Sequence, residues 1–378
     1  MAPEPALVVK NQMIRKIKAT LLKKVTDVSL KNFDNTSINR IVILRYDRIG
    51  DMIVSLPLCK ALNQSMPLVH ITMIASSSNA SIAEGCGFID KTVIKPTKFL
   101  HWAQLLMKLR SKKYDIAFDL NHAVTPHTIY ALRILKPKHV ASPFKDGRWG
   151  VKGTELKLFD LMPKEHKLKY ARPIAETYLD IARLLNCSTN NCLPYPLAKY
   201  PRPHWLPSRY VVINPTGSRE AMRLPDGDIK IIIEQICALD PHIGVVIPAI
   251  HRDYMRLNTL FQDSHQVNVL NELPSIQRML PIIQFATLVV TPDTSLVHIA
   301  CGYKTALIAI YTSDNALFDQ WKPYQNPNAS VIRSQEHRSL IGYSLSELVS
   351  LIKKKVGSTP NHIVNDCDHQ MEESFRQQ

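Results

Sequence analysis

The sequence predicts an α/β protein made of two open parallel-sheet units joined by a proline-rich hinge. Short, continuous apolar runs alternate with longer amphipathic stretches, that rhythm restarts midway, and a cluster of prolines separates the two halves. Uninterrupted apolar runs fit strands buried on both faces, and parallel strands need a crossover helix between them. At 378 residues the chain also exceeds one ordinary domain.

Residues 1–38 read as a basic extension. Ile14, Ile17, Leu21, Leu22 and Val25 recur at near-helical spacing among Arg15, Lys16, Lys18, Lys23 and Lys24, so an amphipathic helix is expected over 13–28. Its apolar face either packs on the body with its lysines in water or meets an anionic membrane surface, and both hold if the face packs while the lysines meet lipid. The first unit, 39–190, carries strands at 41–46, 69–75, 92–94 and 115–120, with helices at 52–64, 100–110 and about 171–185. Pro194, Pro196, Pro201, Pro203 and Pro207 then mark an extended linker over 191–208. The second unit, 209–356, restarts with a strand at 210–214, a helix at 226–239 and a strand at 243–247. A strand at 287–291, a helix at 294–301, a strand at 305–311 and a last helix at 345–355 follow. The polar tail, 357–378, is expected to lack order.

Charge and composition narrow the function. Lys and Arg outnumber Asp and Glu by 47 to 32, a net charge of +15 that favours acidic partners. Nucleic acid is not expected, because no aromatic RNA-binding pair, zinc finger or recognition helix is present. Seven cysteines without a CxxC pair point to reduced thiols. With no signal-peptide pattern and no long apolar run, a cytoplasmic location is expected, peripheral on the inner membrane at most. The strand at 41–46 is not followed by GxGxxG, and GxxxxGK[ST] is absent, which argues against a dinucleotide dehydrogenase and a P-loop NTPase. No metal-ligand spacing stands out, and Asp366-Cys367-Asp368 lies in the polar tail without a strand to present it.

Three sites carry candidate chemistry. At the end of the first strand, Arg48 and Gly50 form a turn into Asp51, at the sheet edge where ligands of open parallel sheets bind. Asp51 fits a general base toward a substrate hydroxyl, and equally a helix cap. The turn Asn214-Pro215-Thr216-Gly217-Ser218-Arg219, with Arg223 beyond it, offers backbone N–H groups and positive charge suited to phosphate, or is an ordinary glycine turn with surface arginines. In the third, an apolar strand runs into a helix whose first turn carries Asp293, Thr294 and Ser295, with His298 one turn on. A helix start of this kind is an anion site, although Asp293 and Thr294 also suit capping and His298 also suits a core.

In this order, the three sites resemble glycosyltransferase family 9, the ADP-heptose:lipopolysaccharide heptosyltransferases. The motifs are Asp47-Arg48-Ile49-Gly50-Asp51 with Ser55-Leu56-Pro57, Pro215-Thr216-Gly217-Ser218, and Asp293-Thr294-Ser295-Leu296-Val297-His298-Ile299-Ala300, followed by Trp321-Lys322-Pro323. The resemblance covers roughly 40–325. It implies a GT-B architecture, two Rossmann-like domains facing across a cleft, with the acceptor on the first and the donor on the second. It implies an inverting, metal-independent transfer with no cofactor beyond a nucleotide-sugar donor such as ADP-heptose. The acceptor it implies is a lipid-linked or phosphorylated saccharide, of the lipopolysaccharide core or another surface glycan. It assigns Asp51 as the base and matches Thr294, Ser295 and His298 to the donor phosphates. Three positions depart from the family: Met222 stands where a lysine is usual, Ser295 where glycine is usual, and Ile250 where an acidic residue would hold ribose. They leave room for a degenerate, non-catalytic member that binds acidic glycans or a membrane-associated assembly.

Overall fold

A computed structural model of the chain describes residues 5–27, 38–163, 172–217, 219–270 and 275–357. The expected disorder of the tail and Asp366-Cys367-Asp368 fall on 358–378, outside the described residues.

The first unit is a five-stranded parallel sheet in which β1 (Arg40–Arg45) lies between β2 (His70–Ala75) and β4 (Ile116–Asp119), with β3 (Lys91–Ile94) and β5 (His139–Ala141) at the edges. Its strands are apolar because both faces are covered. One face carries α2 (Ile49–Ser65), α3 (Ala80–Glu84) and α6 (Ile174–Leu184). The other carries α1 (Pro5–Thr26), α4 (Phe99–Arg110) and α5 (Pro126–Leu135), which share a core with Val42, Leu44 and Ile74 of the sheet.

The second unit is a six-stranded parallel sheet that runs across its width through β11 (Ala329–Arg333), β10 (Leu307–Tyr311), β9 (Leu288–Pro292), β6 (Tyr210–Ile213), β7 (Gly244–Pro248) and β8 (Val267–Leu270). α7 (Asp226–Leu239) and α12 (Leu345–Gly357) cover one face together with α8 (His251–Phe261). α9 (Ile276–Gln284) and α10 (Ser295–Tyr303) cover the other and turn toward the first unit, where α10 packs on α2 and α9 on α3. α11 (Asn315–Trp321) follows β10. This is the two-sheet α/β architecture that the resemblance implies.

One apolar core therefore runs from the first sheet through α2 and α10 into the second. No helix or strand lies between Leu184 and Tyr210, as the prolines imply, but this segment is not a loose tether. Cys192, Tyr195 and Leu206 are buried in the shared core, and Gln284 exchanges two hydrogen bonds with the Tyr200 backbone. The N-terminal helix begins at Pro5, ahead of the expected residue 13, and Val28 lies outside the described residues.

Candidate active site

β1 ends at a buried arginine. Arg45 is 1% exposed, and a guanidinium this deep must be paired. Its Nε donates to the Asp51 carbonyl at 2.9 Å, Nη2 to the Tyr178 hydroxyl at 2.7 Å and to Asp51 Oδ1 at 3.2 Å, and Nη1 to Asp47 Oδ2 at 3.1 Å. Burial opposes its charge, but Tyr178, Asp51 and Asp47 outweigh that and leave its pKa raised. Burial also lifts Asp47 above the usual carboxylate range, with Arg45 pulling the other way.

Asp51 is the third residue of α2. Its Oδ2 accepts from the Arg48 N–H at 3.4 Å, so the helix-capping geometry expected of an aspartate here is present. Its Oδ1 meanwhile faces Arg45, and the side chain keeps 20% exposure. The two readings of Asp51 are thus compatible: one oxygen reaches back along the helix start and the other is held by a fixed cation.

A second polar layer lies at the end of β4. Asp119 and Lys145, both essentially unexposed, pair at 2.7 Å. Lys145 also donates to the Asn121 carbonyl, and the Asn121 amide donates to Asp119 at 3.0 Å. Burial lowers the Lys145 pKa, with Asp119 opposing. A cleft of about 480 Å³ opens beside this pair, lined by 144–147 and 150–154. Gly153 is obligatory there, because a Cβ would sit 1.9 Å from the Lys145 carbonyl oxygen.

In the second unit, Asn214 ties two of the sequence motifs together. Its amide donates to Thr291 Oγ1 at 2.9 Å, to the Thr216 carbonyl at 3.0 Å and to Thr294 Oγ1 at 3.4 Å, while its carbonyl accepts from the Thr216 N–H at 3.2 Å. Thr294 is the N-cap of α10 and accepts from the Leu296 N–H at 3.3 Å. Thr216 Oγ1 is buried without a hydrogen-bond partner among the described residues. Gly217 has no room for a side chain, since a Cβ would lie 2.2 Å from the Met222 carbonyl oxygen. Met222 is itself buried in the core of the second unit, so this position holds packing and supplies no charge. Ser218 lies outside the described residues.

The arginines of this turn go to different places. Arg219 is exposed at the start of a short 3₁₀ turn. Arg223 is held by Asp253 and Glu220, at 2.9 Å each, and lines a cleft of about 410 Å³ with Pro225 and Arg256. Its guanidinium is an ion-pair partner before it is a phosphate ligand. Ile250 caps α8, and the carboxylate of that turn is Asp253.

The two motifs meet across the gap between the units. A Cβ on Gly50 would lie 3.4 Å from His298 Cδ2 and 3.9 Å from the Ser295 Cα, so the start of α2 abuts the start of α10. His298 is 2% exposed, with its ring edge-on to Tyr195 at 5.7 Å and beside Trp321 at 5.7 Å. Its Nδ1 has no hydrogen-bond partner among the described residues, and burial lowers its pKa to about 4, so the ring is neutral near pH 7. Asp293 is half-buried; burial raises its pKa to about 7, against the pull of Arg48 from the opposite unit.

Asp51, Arg48, Gly50, Asp293, Ser295 and His298 thus gather at one interface, and Thr216, Gly217 and Thr294 adjoin them through Asn214. Sequence reasoning gave no role to Arg45, which stands at the head of the first motif, and missed Tyr178, Asp119 and Lys145. The signal for Arg45 and Asp119 was a charged residue ending an apolar run at the same sheet edge as Asp51. Tyr178 and Lys145 had no such signal. No three His, Cys, Asp or Glu side chains group as a metal ion would need among the described residues.

Known proteins share this fold. The model of glycosyltransferase family 9 (heptosyltransferase) matches residues 102–341. A glycosyltransferase family 9 structure from Veillonella parvula superposes with a TM-score of 0.70 at 15% identity, covering 87% of this chain and 100% of that one. The E. coli ADP-heptose lps heptosyltransferase II structure gives a TM-score of 0.65 at 18% identity, covering 84% and 98%. At these identities the likeness is one of fold. A Haemophilus influenzae protein named as a glycosyltransferase is 30% identical over 78 residues, 20% of this chain and 22% of that protein's length.

Proposed function

The chain belongs to glycosyltransferase family 9, and from that premise we propose that it is an inverting, metal-independent transferase. It moves a heptose, or a related sugar, from a nucleotide-sugar to a saccharide acceptor of the lipopolysaccharide core or another surface glycan. The pairing of ADP-heptose with lps is the one named for the E. coli relative. No cofactor beyond the donor enters the reading, and the reaction is placed on the cytoplasmic side.

The observation that carries the reading is the abutment of Gly50, the residue before Asp51, against His298 and Ser295 at the start of a helix of the facing unit. The acceptor hydroxyl approaches Asp51 from the first unit and loses its proton to the carboxylate. The oxygen forms its bond to the anomeric carbon on the face opposite the diphosphate, and the carbon–oxygen bond to the diphosphate breaks. The departing charge is met by the N–H groups and the partial positive charge at the start of α10, by the Thr294 and Thr216 hydroxyls and by the Gly217 N–H. Arg45 holds one oxygen of Asp51 and fixes its rotamer, so the base is positioned before substrate arrives. His298, neutral near pH 7, offers one ring N–H.

Met222 bears on the donor. With no lysine there and Arg223 held by carboxylates, charge on the donor phosphates falls to Arg48, Arg219 and the helix start. Asp51→Asn tests the reading: transfer should fall by about 10²–10⁴-fold, while nucleotide-sugar affinity stays within a few-fold of the original. Near-normal turnover in that variant removes Asp51 from the mechanism. The buried Met222 also favours a second reading, a binding protein without turnover. Titration decides between them, since a chain that takes up no nucleotide-sugar at millimolar concentration is not a transferase.

A further inference from the structure

α1 carries an apolar stripe that the protein leaves uncovered. Leu22 and Thr26 turn inward, and Lys23 pairs with Glu155 at 2.8 Å while Lys157 pairs with Asp27 at 2.9 Å, so the helix is fastened to the first unit. Met13, Ile17 and Leu21 are nevertheless 63%, 50% and 57% exposed, and Ile14 is exposed beside them. At 3.6 residues per turn, these four fall within an arc of about 100°. Over Pro5–Thr26 the sequence has six Lys or Arg residues and no Asp or Glu. α4, which contributes Trp102, Leu106 and Leu109 to the same core as Leu22, exposes Phe99, Leu100 and Met107, with Lys98, Lys108 and Arg110 in or beside it.

We infer that α1, together with the outer face of α4, seats the protein on an anionic lipid bilayer, the helix lying in the plane of the headgroups. Charge selects this occupant. An apolar stripe flanked by cations alone matches acidic headgroups over hydrocarbon, whereas a second copy of a chain with net charge +15 would be repelled. No helix among the described residues is long and apolar enough to cross a membrane, so the contact is interfacial. The fastening has a direction: Glu155, and Trp149 beneath Lys18, flank in sequence the 150–154 segment that lines the cleft beside Lys145, so the lipid-facing helix sits on the unit that holds Asp51. The surface stands without the transfer reaction, and only the benefit of presenting a lipid-anchored acceptor rests on that reading.

Co-sedimentation of the full chain with phosphatidylcholine vesicles, with and without phosphatidylglycerol, tests it. The protein should bind the phosphatidylglycerol vesicles and largely ignore the neutral ones. Ile14→Ser/Ile17→Ser/Leu21→Ser and Arg15→Gln/Lys16→Gln/Lys24→Gln should each lose at least about ten-fold in partitioning. Both triple variants alter exposed side chains, so melting temperature and turnover on a soluble acceptor fragment should stay at the original values. Asp51→Asn should bind vesicles normally, which separates failure of this surface from failure of the transferase reading. Equal binding to neutral vesicles, or full binding by the serine variant, overturns the proposal. So does a dimer in light scattering that the serine substitutions abolish.

Discussion

Arg45 is shared by two carboxylates and a phenol, and its neighbours should feel its loss unequally. Tyr178→Phe removes one buried hydrogen bond to a charged group and should cost about 1.5–3 kcal/mol, read by denaturant unfolding, with a smaller fall in kcat. Arg45→Met should cost more and should also lower kcat further, because Asp51 loses the cation that fixes its rotamer. Two other titrating groups oppose each other in stability. His298 has its folded pKa lowered from 6.5 to about 4, so its contribution is complete above 6.5 and is lost as pH falls toward 4. Asp293 has its folded pKa raised from 3.8 to about 7, so its contribution is complete below 3.8 and is lost as pH rises toward 7. Each slope amounts to at most about 1.4 kcal/mol per pH unit. In the window where both operate they cancel, and this pair leaves stability nearly flat. Asp293→Asn should therefore unmask stability that climbs with pH from about 4 to 6.5, and His298→Gln stability that declines over the same window, both measurable by urea titration at a series of pH values. Similar slopes in the two variants would contradict the assigned burial of these groups.

At the scale of elements, the start of α10 is the feature most exposed to test. Thr294→Ala removes the cap and should cost about 1 kcal/mol of stability while weakening nucleotide-sugar binding, seen by calorimetric titration. Gly217→Ala should be worse for binding than its size implies, because the Met222 backbone already occupies the space and the whole turn must shift. These two motifs were legible because each joins an uninterrupted apolar strand, β6 or β9, to small polar residues that local rules interpret. Among the edge strands β3 was legible, but β5 has three residues and β8 is only partly buried, so neither of these shows a run that separates strand from coil. α9 carries Pro281 in its interior, which reads as a break. The site was half legible for a related reason. Asp51 and the α10 turn depend on neighbours a few residues away, whereas Arg45 depends on Tyr178, and Asp119 on Lys145, partners that only the fold brings together. Arg223 shows the converse: an arginine in a phosphate-like turn is committed to Asp253, thirty residues on, which spacing alone did not reveal.

At the scale of the molecule, the continuous core through α2 and α10 ties the units together. Differential scanning calorimetry should give one cooperative transition, because neither unit can unfold without exposing the apolar face of the other. Two resolved peaks would mean that the contact between α2 and α10 contributes little. A bulky side chain at position 50 acts on the same contact: Gly50→Phe should wedge His298 away, separate the units and raise the KM for both substrates together. The ring packed against that histidine has a use of its own. Trp321 is one of four tryptophans in the chain and packs beside His298 in the turn that opens α10. Its emission should respond to occupancy of that turn without any attached dye, giving a natural optical gauge of the donor's arrival.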